Sequence, residues 1–392
     1  MTALSRRAFL GTTAALAAAT GLPLRQLGDA LAAENGPADV PTTLQQTIRK
    51  ASSGTGDYRT LVTGPGEPYI TRFDLLGRRP AERSKSTRRS LAYLGHMSDI
   101  HIQDAQSPAR FDPMTGQDPS LWQGASRPQD TLTVNVLSSM VSAINAAASS
   151  PVTGAPLTAL VNTGDSADQH SGLELRWYID VMDGVPVQPN SGGERYEGPQ
   201  VWAEATYVWH PDDPGNDEFG AYGFPRIPGL LDKVVAQTVE SEGLAAPWYA
   251  VYGNHDTLFY GSFPIDSALR SLALGSRKPA LWPDLAANYL DGMARQHSVL
   301  TRLEYTLRTQ LGTARGFRTV SSDPDRKLFD QAGFMQEHFE TEPAPGPVGH
   351  GFTEENLKTG KTYWAADVTD WLRILGLNTC NQVMGADGAV PE

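Results

Sequence analysis

Leu91-Ala92-Tyr93-Leu94-Gly95-His96-Met97-Ser98-Asp99-Ile100-His101 decides how the chain is read. A short apolar run passes straight into Ser98-Asp99-Ile100-His101, as a buried strand does when it ends at a site. Two later stretches repeat the arrangement. Leu157 to Thr163 leads into Gly164-Asp165-Ser166-Ala167-Asp168, and Trp248 to Tyr252 leads into Gly253-Asn254-His255-Asp256. In open α/β sheets, ligands bind where the C-terminal ends of strands converge. Three such ends carrying carboxylate, imidazole and amide groups predict an α/β fold with a site along one edge.

The segments between these strands support that fold. Asp130 to Ala148 carries Leu132, Val136, Leu137, Met140, Val141 and Ile144 at helical spacing, which predicts a crossover helix between the first two strands. Gly172 to Met182 reads as a helix after the second loop, and Pro228-Gly229-Leu230-Leu231 opens another before the third strand. Residues 184–228 break the pattern with Gly, Pro, Asp and the aromatics Trp202, Tyr207, Trp209, Tyr222 and Phe224. A loop this long inside a domain is usually functional, so it is expected to roof the site. Pro283 to Leu311 reads as a long helix or helical pair, Leu328 to Glu340 as a helix, and Tyr363–Asp367 and Trp371–Leu377 as adjacent strands.

Composition narrows the class. The 392 residues are 40% apolar, with a formal net charge of −12, a poor match to a phosphate backbone that is bound through Lys and Arg. No nucleic-acid partner is expected. A single cysteine, Cys380, excludes an internal disulfide. The N-terminus reads Ser5-Arg6-Arg7-Ala8-Phe9-Leu10, then a mild Ala/Gly/Thr/Leu run, then Ala30-Leu31-Ala32. Basic n-region, weak apolar stretch and small residues before Ala33 predict a twin-arginine signal peptide over residues 1–32. The twin-arginine export machinery is then one partner, the mature chain is exported, and no later run is apolar and long enough to be a transmembrane segment. Residues 33–89 read as a linker and N-terminal extension, and residues 90–392 as the main domain.

The three loops suggest two divalent metal ions bridged by a carboxylate. Asp99 and His101 would hold one ion. Asp165 has two oxygens and can bridge, and Asn254 offers a neutral carbonyl oxygen to the second. Mixed oxygen and nitrogen ligands without thiolate suit Fe, Mn or Zn. Such a pair activates water and stabilises both oxygens of an in-line displacement. His255 is placed to handle a proton at the leaving oxygen, with Asp256 expected to orient its imidazole and Asp168 and His170 to stand behind the ligands.

The ordered set Asp99-x-His101, Gly164-Asp165 and Gly253-Asn254-His255-Asp256 resembles the calcineurin-like metallophosphoesterase superfamily. Ser98 to Arg110 (S-D-I-H-I-Q-D-A-Q-S-P-A-R) is similar, more narrowly, to a group of exported bacterial metallophosphoesterases. The resemblance spans about residues 60–392. It implies a four-layer α/β/β/α sandwich, metal ligands at Asp99, His101, Asp165 and Asn254, and a catalytic histidine at His255. Asp168 stands where purple acid phosphatases place a tyrosine ligand, which disfavours that branch. The superfamily pattern also adds a histidine ligand and a Gly-His-x-His pair after the strand corresponding to Trp371–Leu377, and the sequence to Glu392 supplies neither. The domain is therefore expected to be C-terminally incomplete, with His297, His338 and His350 as the upstream histidines to examine.

The expected activity is hydrolysis of a small-molecule phosphate mono- or diester by a dinuclear metal centre. The competing expectation is an exported, catalytically weak or inactive fragment that acts as a binding protein.

Overall fold

The computed structural model describes residues 39–54, 59–70, 72–78, 89–117, 123–213, 217–262, 264–280, 316–382, 386 and 388–389. The expected signal peptide, His297 and the helix expected over Pro283 to Leu311 lie outside them.

The three apolar runs form the strands the site depends on. β3 (Leu94–Met97), β4 (Ala159–Asn162) and β5 (Trp248–Ala250) make a parallel sheet in that order, with Leu94 beside Ala159 and Leu160 beside Trp248. All three enter from one end, so their C-terminal loops emerge together. Helix α1 (Thr133–Ala146) crosses from β3 to β4, and α2 (Gly172–Asp183) begins the crossover from β4 to β5. Val134, Leu137 and Val141 form the buried stripe of α1, whereas Val136 and Met140 face outward. Helix α2 buries Leu173, Leu175, Trp177, Tyr178, Ile179, Val181 and Met182. A helix apolar on so much of its surface belongs in a core rather than on it. One cluster joins both helices to Leu160, Trp248, Phe334, Phe352 and Trp364.

The rest of the chain packs around this unit. Helices α3 (Leu230–Ala236), α4 (Ser267–Ala273), α5 (Gln331–Glu337) and α6 (Glu354–Thr359) are short. Asp266 and Asp330 cap α4 and α5 by accepting backbone N–H bonds, and a capping box starts α6. β8 (Trp364–Thr369) and β9 (Leu372–Gly376) form the expected antiparallel pair. Two antiparallel pairs were not expected. β6 (Arg277–Pro279) pairs with β7 (Phe317–Thr319). β1 (Gln46–Lys50) pairs with β2 (Leu61–Pro65) inside the stretch read as a linker. The β-branched residues Thr47, Ile48, Val62 and Thr63 favour strand there despite the Gly, Ser and Thr around them.

The 184–228 segment is tied to the loop after β3: Ser191 Oγ donates to Asp104, Gln106 Nε2 to Asn190, and the Glu197 N–H to Gln106. It braces the site loop, while Trp209, Phe219, Tyr222 and Phe224 pack against one another. No helix among the described residues is long and apolar enough to cross a membrane.

Candidate metal centre

Beyond β3 and β4 the chain continues as two loops zipped side by side. The Asp99, His101 and Ile102 N–H groups donate to the carbonyls of Gly164, Asp165 and Ser166 at 3.1, 2.8 and 2.9 Å. Asp99, His101 and Asp165 take left-handed backbone conformations, with φ of 57°, 50° and 54°. Each is costly for a residue with a Cβ, and such outliers cluster where surrounding structure holds a functional geometry. The third loop needs glycine to come close. A Cβ on Gly253 would sit 2.0 Å from Asp165 Oδ1, and one on Gly164 would sit 2.5 Å from the Gly253 nitrogen.

The close approach brings the expected ligands together. Asp99, His101 and Asp165 have ligand atoms within 4.8 Å of one another. His101 Nε2 lies 3.6 Å from Asp165 Oδ2 and 3.9 Å from Asp99 Oδ1. These separations are too long for hydrogen bonds but suit two atoms sharing one ion at bond lengths of about 2.0–2.2 Å. His101 Nδ1 is 2.8 Å from the carboxylate of Asp168. Only a donor satisfies that partner, so Nδ1 holds the proton and the Nε2 lone pair faces Asp99 and Asp165. A carboxylate behind a histidine in this way is the usual support of a metal-binding imidazole. The donor set therefore fits a divalent cation.

The second position is more sparsely supplied. Asn254 Nδ2 donates to the Gly261 carbonyl at 3.1 Å, which leaves its carbonyl oxygen as the branch available to a cation. Asp165 Oδ1 accepts the His255 N–H at 2.8 Å. His101, Asp168 and His255 also have ligand atoms within 4.8 Å of one another. Asp168, however, accepts from His101, Arg127, Arg110, Gln103 and Gln169. Five donors on one carboxylate make it an anchor rather than a ligand.

His255 packs edge-on against His101, with ring centroids 4.4 Å apart. Its Nδ1 lies 2.8 Å from the carbonyl oxygen of Asp168 and must donate to it, so Nε2 is the free nitrogen. This corrects the role expected of Asp256. That carboxylate does not orient His255. It is fully buried and accepts the N–H groups of Ser166, Ala167 and Gly253 at 3.0–3.2 Å, tying the second loop to the third. Burial, reinforced by the Asp165 charge, pushes it up to about 7. His170 also departs from expectation. Its ring is buried, stacked on Phe329 at 4.3 Å with neither nitrogen hydrogen-bonded, and burial pulls it down to about 3. It is part of a packed wall and supports no ligand.

Electrostatics around the two histidines follow from Asp168. Burial alone would lower His101, but the Asp168 hydrogen bond and charge outweigh it and raise the ring above its ordinary value. Burial dominates at His255 and lowers it despite the same carboxylate. Asp168 is itself held well below the usual carboxylate range, because Arg110 foremost, with His101, His255 and Arg127, outweighs its burial.

Some of this machinery was not apparent from the sequence. Arg110 is fully buried and bonds Asp112, Asp130 and Asp168 together with the Ala125 carbonyl. Lys278, equally buried, closes on Asp112 at 2.6 Å. Arg110 ends the stretch Ser98 to Arg110 that the sequence reading singled out, the one signal that marked it. Gln103 lies within the same stretch, and Arg127 carried no such signal. The upstream histidines are elsewhere: His338 and His350 are buried with Nδ1 atoms 2.9 Å apart, and the His350 ring stacks on Trp248 at 3.3 Å. Trp248 begins β5, whereas Asn254 lies beyond its other end, so neither histidine supplies the site. No family profile, curated protein or solved structure matches this chain.

Proposed function

We propose that the chain is a metal-dependent phosphoesterase of the calcineurin-like kind, exported through the twin-arginine pathway and acting on a small-molecule phosphate ester. The observation that carries the reading is the convergence of three parallel strand ends on Asp99, His101, Asp165, Asn254 and His255. The turn of His101 Nε2 toward two carboxylates supports it further. The fuller α/β/β/α architecture belongs to the same proposal, with β8 and β9 as part of its second sheet.

Asp99, His101 and Asp165 would hold one divalent ion, and Asp165 with Asn254 a second. Bound there, Fe, Mn or Zn would activate water and offset charge developing on the phosphoryl oxygens. The chain's own residues do the rest. Asp168 fixes the His101 tautomer through its carboxylate and the His255 tautomer through its backbone carbonyl. With His255 Nδ1 committed, any proton passed to the leaving oxygen travels through Nε2. Burial lowers that ring below its ordinary value, so the neutral form predominates at rest near pH 7.

A second reading, an exported metal-binding protein with weak or no turnover, is favoured by one observation. Among the described residues, only Asp165 and Asn254 offer atoms to the second ion. Metal analysis with assays on an aryl phosphate monoester and diester separates the two. Two equivalents and hydrolysis abolished by Asp165→Asn support the enzyme, one equivalent without turnover supports the metal-binding protein, and no bound metal refutes both.

A further inference from the structure

Two guanidinium groups reach Asp168. Arg110 already pairs with it from behind, His101 Nδ1–H donates to it, and Gln103 and Gln169 add two neutral donors. A second guanidinium, Arg127, nevertheless reaches Asp168 Oδ1 through NH1 at 3.0 Å. The two arginines are used differently. Arg110 is sealed, with Nε, NH1 and NH2 all bonded to carboxylates or to the Ala125 carbonyl. Arg127 keeps 27% of its side chain exposed, and among the described residues its Nε and NH2 edge meets no acceptor.

Its position is set by the atom that organises the site. Asp168 Oδ1 lies 2.8 Å from His101 Nδ1 and 3.8 Å from His255 Nδ1. The guanidinium is thus one shared oxygen away from both rings, tethered by one nitrogen and open at its other edge. A planar fork presented in this way matches two oxygens of a phosphoryl group, a geometry lysine cannot reproduce. A cationic edge left open in this way also favours the substrate carrying more negative charge.

We propose that Arg127 is a substrate-binding residue whose free guanidinium edge receives the non-esterified oxygens of a phosphate group, favouring monoesters over diesters. The inference rests on the phosphoesterase reading above. Its test uses the full chain, its Arg127→Ala and Arg127→Lys variants, an aryl phosphate monoester and diester, and calorimetric titration with inorganic phosphate. Losing a charge-assisted, two-point contact should weaken phosphate binding and raise the monoester KM about 10–100-fold. Diester KM should rise several-fold less, and metal content should match the parent. Lysine should restore part of the loss, and added guanidinium ion should partly rescue the alanine variant.

Equal phosphate affinity and monoester KM in parent and Arg127→Ala would overturn the inference and leave the phosphoesterase reading standing. A fall in metal content and kcat without a change in KM would also overturn it, by showing that Arg127 only props Asp168. If the parent bound phosphate without hydrolysing any ester, the phosphoesterase reading would fail. The calorimetry would still decide Arg127, and a parent that binds no phosphate would refute its role.

Discussion

Asp168 and Asp165 are three residues apart, and the structure assigns them opposite duties that two isosteric substitutions can separate. Asp168 is fully buried and accepts five hydrogen bonds, two of them from guanidinium groups. In Asp168→Asn an NH2 group must replace one oxygen. Placed at Oδ1 it meets the donors of His101 and Arg127, and placed at Oδ2 it meets those of Arg110, Gln103 and Gln169. Either way a buried donor faces donors, and Arg110 loses one of its three carboxylates. Breaking a buried ion pair from one side costs about 3–5 kcal/mol, which for a domain of this size lowers the melting temperature by roughly 5–8 °C.

Asp165→Asn removes far less from the empty protein. Asp165 accepts one backbone bond, from His255 at 2.8 Å, and an amide oxygen can accept it equally well. Its charge also helps to raise Asp256, so neutralising it relieves a repulsion. Stability without metal should change by less than about 1 kcal/mol, while the loss of a bridging carboxylate removes most metal affinity. Thermal melts in excess chelator, with metal analysis after dialysis against Zn or Mn, read both quantities. If Asp168→Asn melted within about 2 °C of the parent, the anchor role would be refuted. If Asp165→Asn lost as much stability as Asp168→Asn, so would the division between them.

Three further outcomes are expected. His255→Ala should keep the parent's metal content and slow ester hydrolysis by about 10²–10⁴-fold, the usual cost of a lost proton-transfer group; unchanged turnover in steady-state assays would remove His255 from the mechanism. His338 is buried and neutral, pulled down to about 3 by burial, so below its unfolded value near 6.5 the unfolded chain binds a proton that the folded chain refuses. The parent should therefore lose stability to His338→Gln by about 1.4 kcal/mol per pH unit as the pH falls below about 6.5, and parallel denaturation curves in chelator from pH 8 to 5 would refute this. Replacing Arg6 and Arg7 with lysine should leave precursor in the cytoplasm, and unaltered secretion in a cell-fractionation assay would overturn the export reading.

The three strands, both large helices and the convergence of Asp99, His101, Asp165, Asn254 and His255 were legible because each rests on local pattern. An apolar run that ends in Ser98-Asp99-Ile100-His101 or Gly253-Asn254-His255-Asp256 announces a strand and its loop in one short window. The 3.6-residue spacing likewise announces α1 and α2. What was not legible depends on residues far apart in the chain. The partners of Asp168 come from positions 101, 103, 110, 127 and 169, and no window contains them. Charged residues are also read by default as solvated, so nothing marked Arg110, Lys278 or Arg326 as fully buried. The 184–228 segment showed its aromatics but not the Ser191 and Asn190 side chains and the Glu197 N–H that tie it to the site loop.

The misreading of Asp256 shows how the centre is built. Adjacency in Gly253-Asn254-His255-Asp256 suggested that the carboxylate serves its neighbouring imidazole, yet consecutive side chains in extended or turning backbone diverge. Asp256 turns inward and fastens the β5 loop to the β4 loop, whereas His255 turns to the backbone of Asp168. The same Asp168 holds the ring of His101 and is itself held by Arg110, which Asp112 and Asp130 position in turn. One residue thus sets the free nitrogen of both histidines, and a buried ion network sets that residue. The geometry of the two rings is consequently a property of the folded chain, fixed before any cation arrives. Binding should then require little rearrangement beyond Asp99, whose side chain is 66% exposed and which lacks any comparable buried support.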